Sequence, residues 1–153
     1  MRWSAAGVAE AAARERIPLP PEVTAYAAAV SADPAHLPQG PAEVGHDLAL
    51  ARTAALVAAR RHGRPHTSAE SPRPLTDVGL VVGSGGVLRH NPAEQALEVV
   101  RAVTTDHSGG WRVPARAKVE VDTAYLLFAV GLLAPEHPET ARALAGRIIS
   151  ADD

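Results

Sequence analysis

The sequence predicts a helix-rich α/β chain with a short sheet, on three observations. Val44, Leu48, Ala51, Ala55 and Ala59 recur at steps of four and three, as one face of a long helix requires. A β-branched run, Val78–Val82, leads straight into Gly83-Ser84-Gly85-Gly86 and then a helix start at Asn91-Pro92. An alternating stretch, Lys118–Val121, stands before a long apolar run. Helices, strand, helix, strand, helix, helix is an α/β order.

Each element has a local reason. Ser4 caps a first helix to Arg16, and Ala11–Ala13 favour it. Ile17-Pro18-Leu19-Pro20-Pro21 stops it. Pro21–Val30 is a short helix with Val23, Tyr26 and Val30 on one face, and residues 31–40 form a loop. Pro41 opens the long helix to His62, with Arg60, Arg61 and His62 at its negative dipole end and Gly63 as C-cap. After the glycine turn, Asn91 is expected to cap, with Pro92 first in the helix and Glu94 completing a capping box. His107-Ser108-Gly109-Gly110 is a turn. Asp122 caps a helix to Ala134 that is apolar nearly all round and is therefore expected to be buried, with Tyr125 and Phe128 in the core. Pro138 opens a last helix to about Ile149.

Composition narrows the partners. The 153 residues suffice for one core, and apolar residues at 46% argue against disorder. Aromatics at 3% leave Ala, Val and Leu to fill that core. A net charge of -2, with no basic block, gives no expectation of nucleic acid. The absence of cysteine removes disulfides, thiolate metal sites and Cys nucleophiles. The longest apolar run, Ala124–Ala134, is about half of a membrane span, and Glu10, Arg14, Glu15 and Arg16 break any leader pattern. A soluble cytoplasmic protein, off the membrane, is the expectation.

The chemistry-bearing motif is the glycine turn. A nucleotide's sugar and phosphates need backbone close by, without side chains in the way. Glycine permits both the tight turn and the approach. A following helix offers free N–H groups to an anion, and Ser84 adds a hydroxyl. The motif lacks the third Gly and the following acid of a dinucleotide fingerprint and the Lys-Ser/Thr of a P-loop. A tight strand-to-helix connection is the plain alternative.

Leu75-Thr76-Asp77-Val78-Gly79-Leu80-Val81-Val82-Gly83-Ser84-Gly85-Gly86-Val87-Leu88 resembles the L-T-x-V-x-x-V-I-G-T-G-G-x-L segment of the glutamate mutase L family. Asp47–Gly63 is similar to that family's helix ending in Arg-His-Gly. Val121-Asp122-Thr123-Ala124-Tyr125-Leu126 with Gly131-Leu132-Leu133-Ala134 resembles its L-D-x-x-Y-I…A-x-G-L-L-A helix, and Met1-Arg2-Trp3-Ser4 an internal G-M-R-x-S stretch. The resemblance covers nearly the whole chain but about the last third of the family.

It implies part of the carboxyl lobe of an actin-like ATPase (ribonuclease H-like) fold, with residues 1–40 a helical segment and linker and 41–153 the nucleotide-binding portion. Gly83, Ser84, Gly85 and Gly86 would clamp the adenosine of ATP or ADP, with Asp122 on its ribose side. The resemblance also implies an accessory, reactivating role beside an adenosylcobalamin-dependent aminomutase. No Asp-x-Gly-Ser/Thr phosphate loop occurs, so turnover, and any magnesium, would need an amino lobe on a separate chain. No Asp-x-His-x-x-Gly pattern occurs, so cobalamin is not expected to bind directly. The competing readings are an interaction module or truncated remnant with a structural glycine turn, and a Rossmann-like binder.

Other candidates are weaker. His62 and His66 are four apart, but Gly63 and Pro65 break the helix a metal pair needs. His46-Asp47 and Asp106-His107-Ser108 are neighbours in sequence, which a triad seldom is. Arg52, Arg60, Arg61 and Arg64 are expected on a wet helix face. Trp111 borders either the nucleotide cleft or an interface.

Overall fold

The computed structural model describes residues 4–65, 71 and 73–149. Three helices come first: α1 Ala5–Arg14, α2 Pro21–Ala32 and α3 Gly40–Gly63. Ser4 caps α1 as expected, its Oγ accepting from the Gly7 N–H at 3.0 Å. Val23, Tyr26, Ala27 and Leu50 form a first core cluster where α1 and α2 lie on α3.

The remaining chain is built on a parallel strand pair. β1 is Leu80–Gly83 and β2 is Lys118–Val121, in register from Leu80 opposite Lys118 to Gly83 opposite Val121. Between them run a short helix α4 Gly86–Arg89, α5 Ala93–Thr105 and a 3-10 turn His107–Gly109. Leu88, Ala96, Val99 and Val100 make the second cluster, with Val81, Val119 and Val121 of the strands and Leu48 and Ala51 of α3 packed on it. α3 thus feeds both clusters: Ala49 and Leu50 reach one, Leu48 and Ala51 the other. Steps of three and four on a single helix, with small residues on the second face, produce that double use.

Several local expectations change. Asn91 does not cap α5; Pro92 holds that position, and the Asn91 Nδ2 donates to the Val87 carbonyl at 2.7 Å. The unforeseen α4 is the reason, since its end brings a free carbonyl next to Asn91. Gly63 is the last residue of α3 rather than a left-handed cap, and Arg64 beyond it is extended. A Cβ on Gly63 would lie 3.0 Å from the Trp111 ring, so this glycine serves packing.

The largest change is in the carboxyl-terminal helices, α6 Leu127–Leu133 and α7 Pro138–Ala145. α6 is shorter than expected and is not buried: Phe128 is 59% and Leu132 75% exposed. Tyr125 is also outside the core, its ring tilted against Phe128 at 5.5 Å with Arg89 over it at 5.6 Å. α6 packs against α7 and makes no comparable contact with another described element. An apolar sequence reports what a helix can bury, and here the described chain provides no second cover.

Candidate glycine-turn site

The sheet sets the site's two ends. The Asp122 N–H donates to the Gly83 carbonyl at 2.8 Å, fastening the exit of β2 to the exit of β1. Asp122 is 1% exposed. Its carboxylate accepts from the N–H groups of Leu126 and Leu127 at 2.7 and 2.8 Å, which holds the start of α6. The Ser84 hydroxyl donates to the same carboxylate at 3.3 Å. Tyr125, with φ of 56°, makes the sharp turn inside this loop. Asp122 is not the expected N-cap, a position that Leu126 holds because the chain turns at Tyr125 before α6 begins; its inward side chain instead reaches over that turn to the Leu126 and Leu127 N–H groups and to Ser84.

The glycines have different jobs. At Gly83 a Cβ would run into Val100 Cγ2 and sit 2.7 Å from Leu88 Cδ1, so close packing of β1 on α4 and α5 demands glycine. Gly85 has φ 139° and ψ 168°, a region open essentially to glycine alone. Gly86 begins α4 at an ordinary φ, and a Cβ there would meet nothing within 4 Å. Neither fold nor packing requires glycine at position 86.

A cavity of about 380 Å³ opens beside the turn. Gly83–Gly86 form one wall, Ala51 and Ala55 of α3 a second, and Val99, Val100 and Val103 of α5 a third. The lining is apolar apart from Ser84 and backbone. Such a surface suits a flat apolar ring with polar edges met by main chain. It places no carboxylate or imidazole in the cleft, and so no acid, base or metal ligand. Among the described residues no group of three His, Asp or Glu could hold a metal; His66 lies outside them.

The other candidates are placed elsewhere. Trp111 is buried against Gly63 and Gly109 and lines a different cavity with Arg64 and Pro74, so it does not border the glycine turn. His107 and Ser108 lie exposed in the 3-10 turn. His46 tilts against Tyr26 at 5.5 Å. Burial pushes the Asp47 carboxyl up, with His36 opposing.

Arg60 is not on a wet face. It is 4% exposed and forked onto Asp106, Nε to Oδ2 at 2.6 Å and Nη2 to Oδ1 at 2.8 Å. Nη1 donates to the Glu15 carbonyl at 2.7 Å. The guanidinium bond holds Asp106 well below the usual carboxylate range against burial, and Ser108 adds a further bond. Arg64 joins the cluster through Glu15 at 2.9 Å and the Gly109 carbonyl at 3.0 Å. The knot ties α1, α3 and the 3-10 turn together. Nothing in the local pattern of either segment foretells it, because 46 residues separate Arg60 from Asp106.

No helix among the described residues is long and apolar enough to cross a membrane. The family model described as MutL protein matches residues 1–149. Protein MutL of Clostridium tetanomorphum is 31% identical over 117 residues, covering 69% of this chain and 24% of that protein. The chain thus spans about a quarter of the length of the relative it matches. No solved structure matches significantly. With near-complete coverage by one family, the chain belongs to the MutL protein family, the glutamate mutase L family that its separated motifs resemble.

Proposed function

We propose that Gly83–Gly86 receive the adenosine part of ATP or ADP, as one lobe of a MutL-type accessory protein serving an adenosylcobalamin-dependent mutase. The observation that carries this reading is Gly86. Its backbone borders a 380 Å³ cavity, and nothing within 4 Å of its Cβ position calls for glycine. Bare backbone on a cavity wall lets a ligand approach closely. Ser84 would offer its hydroxyl oxygen to ribose or phosphate while its O–H donates to the Asp122 carboxylate. Asp122 is then a positioning residue that fixes Ser84 and α6 together.

The chain offers half a cradle. Phosphoryl transfer depends on positioned phosphates and metal-borne charge, and the cleft has no carboxylate to hold a cation. Binding without turnover is the expected behaviour, with hydrolysis and magnesium awaiting a second lobe. Cobalamin has no site in this reading. In this reading the mutase is the partner served, through a protein interface rather than through shared cofactor.

The structural reading of the turn is favoured at Gly83, where a side chain would collide with Val100 and Leu88, and at Gly85, where φ of 139° calls for glycine. The test separates the two. Saturation-transfer NMR should show saturable ADP binding to the chain and its loss in Gly86→Leu, with the melting temperature kept. Equal signals from both proteins would reduce the turn to a packing element.

A further inference from the structure

A cavity of about 430 Å³ lies on another face of α3 and shares no lining residue with the one beside the glycine turn. Ala49, Arg52, Thr53, Leu56 and Arg60 line it, recurring at steps of three and four along one helix face. The facing wall is the connection from α1 to α2, Ile17-Pro18-Leu19-Pro20. Its prolines fix φ, so this wall is stiff before any ligand arrives. Arg16 leads into it. As α1 ends, Arg16 takes φ of 55°, its N–H donating to the Ala13 carbonyl at 3.2 Å and the Ile17 N–H to the Ala12 carbonyl at 2.9 Å. That paired helix closure places Arg16 on the cavity lining.

The buried polar groups of this cavity already satisfy one another. Arg60 is forked on Asp106, and the Ser108 hydroxyl donates to the same carboxylate. The Thr53 hydroxyl donates to the Ala49 carbonyl at 2.7 Å. The adjacent Glu15 is taken up by Arg64 at 2.8 Å. Two cations on the lining are left over. Arg16 and Arg52 are exposed, and among the described residues neither guanidinium has a hydrogen bond or an ion pair. Asp106 is the sole acid on the lining and belongs to Arg60. A cleft with surplus charge of one sign draws a ligand of the other. Guanidinium forks match the planar or tetrahedral oxygens of carboxylate and phosphate. Ile17, Leu19 and Leu56 add aliphatic wall, and the volume falls in the range of about 300–1,000 Å³ that small-molecule sites occupy.

We propose that this cavity binds a small organic anion, its carboxylate or phosphate group held by Arg16 and Arg52 and its aliphatic body against Ile17, Leu19 and Leu56. The site is independent of the nucleotide reading, since the two cavities have no residue in common. Its floor is the Arg60–Asp106 pair with Ser108, so a bound anion bridges the α1–α2 connection, α3 and the 3-10 turn.

Hexyl phosphate and hexanoate carry the two headgroups on one aliphatic body, and 1-hexanol carries neither. In an amide chemical-shift titration of the whole chain at low salt, at least one of the anions should give saturable shifts at Ile17, Leu19, Ala49 and Leu56, and 1-hexanol at the same concentrations none. The tighter anion identifies the headgroup. Arg16→Gly suits the left-handed backbone, so it should keep the melting temperature while weakening binding at least about tenfold. Arg52→Gln, at an exposed helix position, should weaken binding likewise. Arg14→Gln, an exposed arginine of α1 off the cavity lining, should leave the affinity unchanged. No saturable shifts with either anion, equal shifts with 1-hexanol, or binding that Arg16→Gly and Arg52→Gln both leave intact would overturn the proposal.

Discussion

Replacing Gly83 and Gly86 by alanine, one at a time, separates packing from ligand approach in the same four-residue turn. At Gly83 the added methyl would press on Val100 and stand 2.7 Å from Leu88 Cδ1. Both neighbours belong to the buried cluster under β1, so relief requires moving packed side chains. Overpacking of this kind costs about 1–3 kcal/mol. At Gly86 the methyl enters open space at the start of α4. Alanine there loses nothing in contacts and gains up to about 1 kcal/mol through lower backbone entropy in the unfolded chain. For a chain of this size, about 1 kcal/mol moves the melting temperature by roughly 2–4 °C. Differential scanning calorimetry of the two variants beside the parent measures the contrast. Gly83→Ala should melt several degrees lower, and Gly86→Ala at or above the parent. Equal losses at both sites would show that position 86 is glycine for structural reasons, and the proposed clamp would lose its main support.

Three further outcomes follow from the same geometry. Asp106→Asn leaves the buried Arg60 guanidinium with only the Glu15 carboxylate, 4.0 Å away, as counter-charge and should cost up to about 3–5 kcal/mol in urea unfolding at neutral pH. The folded Asp106 carboxyl titrates below its unfolded value of about 3.9, so its stabilisation is full above that pH and drains as pH falls below it. The parent should therefore lose stability below about pH 4 more steeply than Asp106→Asn does. Asp122→Ala removes the acceptor of the Leu126 and Leu127 N–H groups and should cost about 0.5–2 kcal/mol, read as faster proteolysis within 122–133 while the residues of α3 and α5 stay protected.

The parts of the fold that were legible in sequence are those with local causes. Lys118–Val121 alternates and is β2 at the same residues, and Ser4 caps α1 because a serine before an alanine run has little else to do. α3 follows from its steps of three and four. α4 was not legible, since four residues are too few to show a period. The Arg60–Asp106 fork was hidden for a different reason. An arginine in the last turn of a helix looks like dipole complementation, and only the folded chain brings a carboxylate to it from 46 residues away. The bare α6 marks the limit of hydrophobic patterning, which identifies a face that needs burial without telling whether its cover lies in the same stretch of chain. At the candidate site the turn itself was readable from Gly83-Ser84-Gly85-Gly86. The division of labour among its glycines was not, because φ at Gly85 and the neighbours of Gly83 are properties of the packed structure.

The account turns on where ADP contacts the chain, and amide chemical-shift mapping during an ADP titration reads this directly. The predicted result is a set of saturable shifts at Ser84, Gly85, Gly86 and the facing Ala51 and Ala55, fading with distance along α5. Shifts confined to the separate groove between α3 and α5 at Val44, Arg52 and Arg101, or none at any ADP concentration, would contradict it.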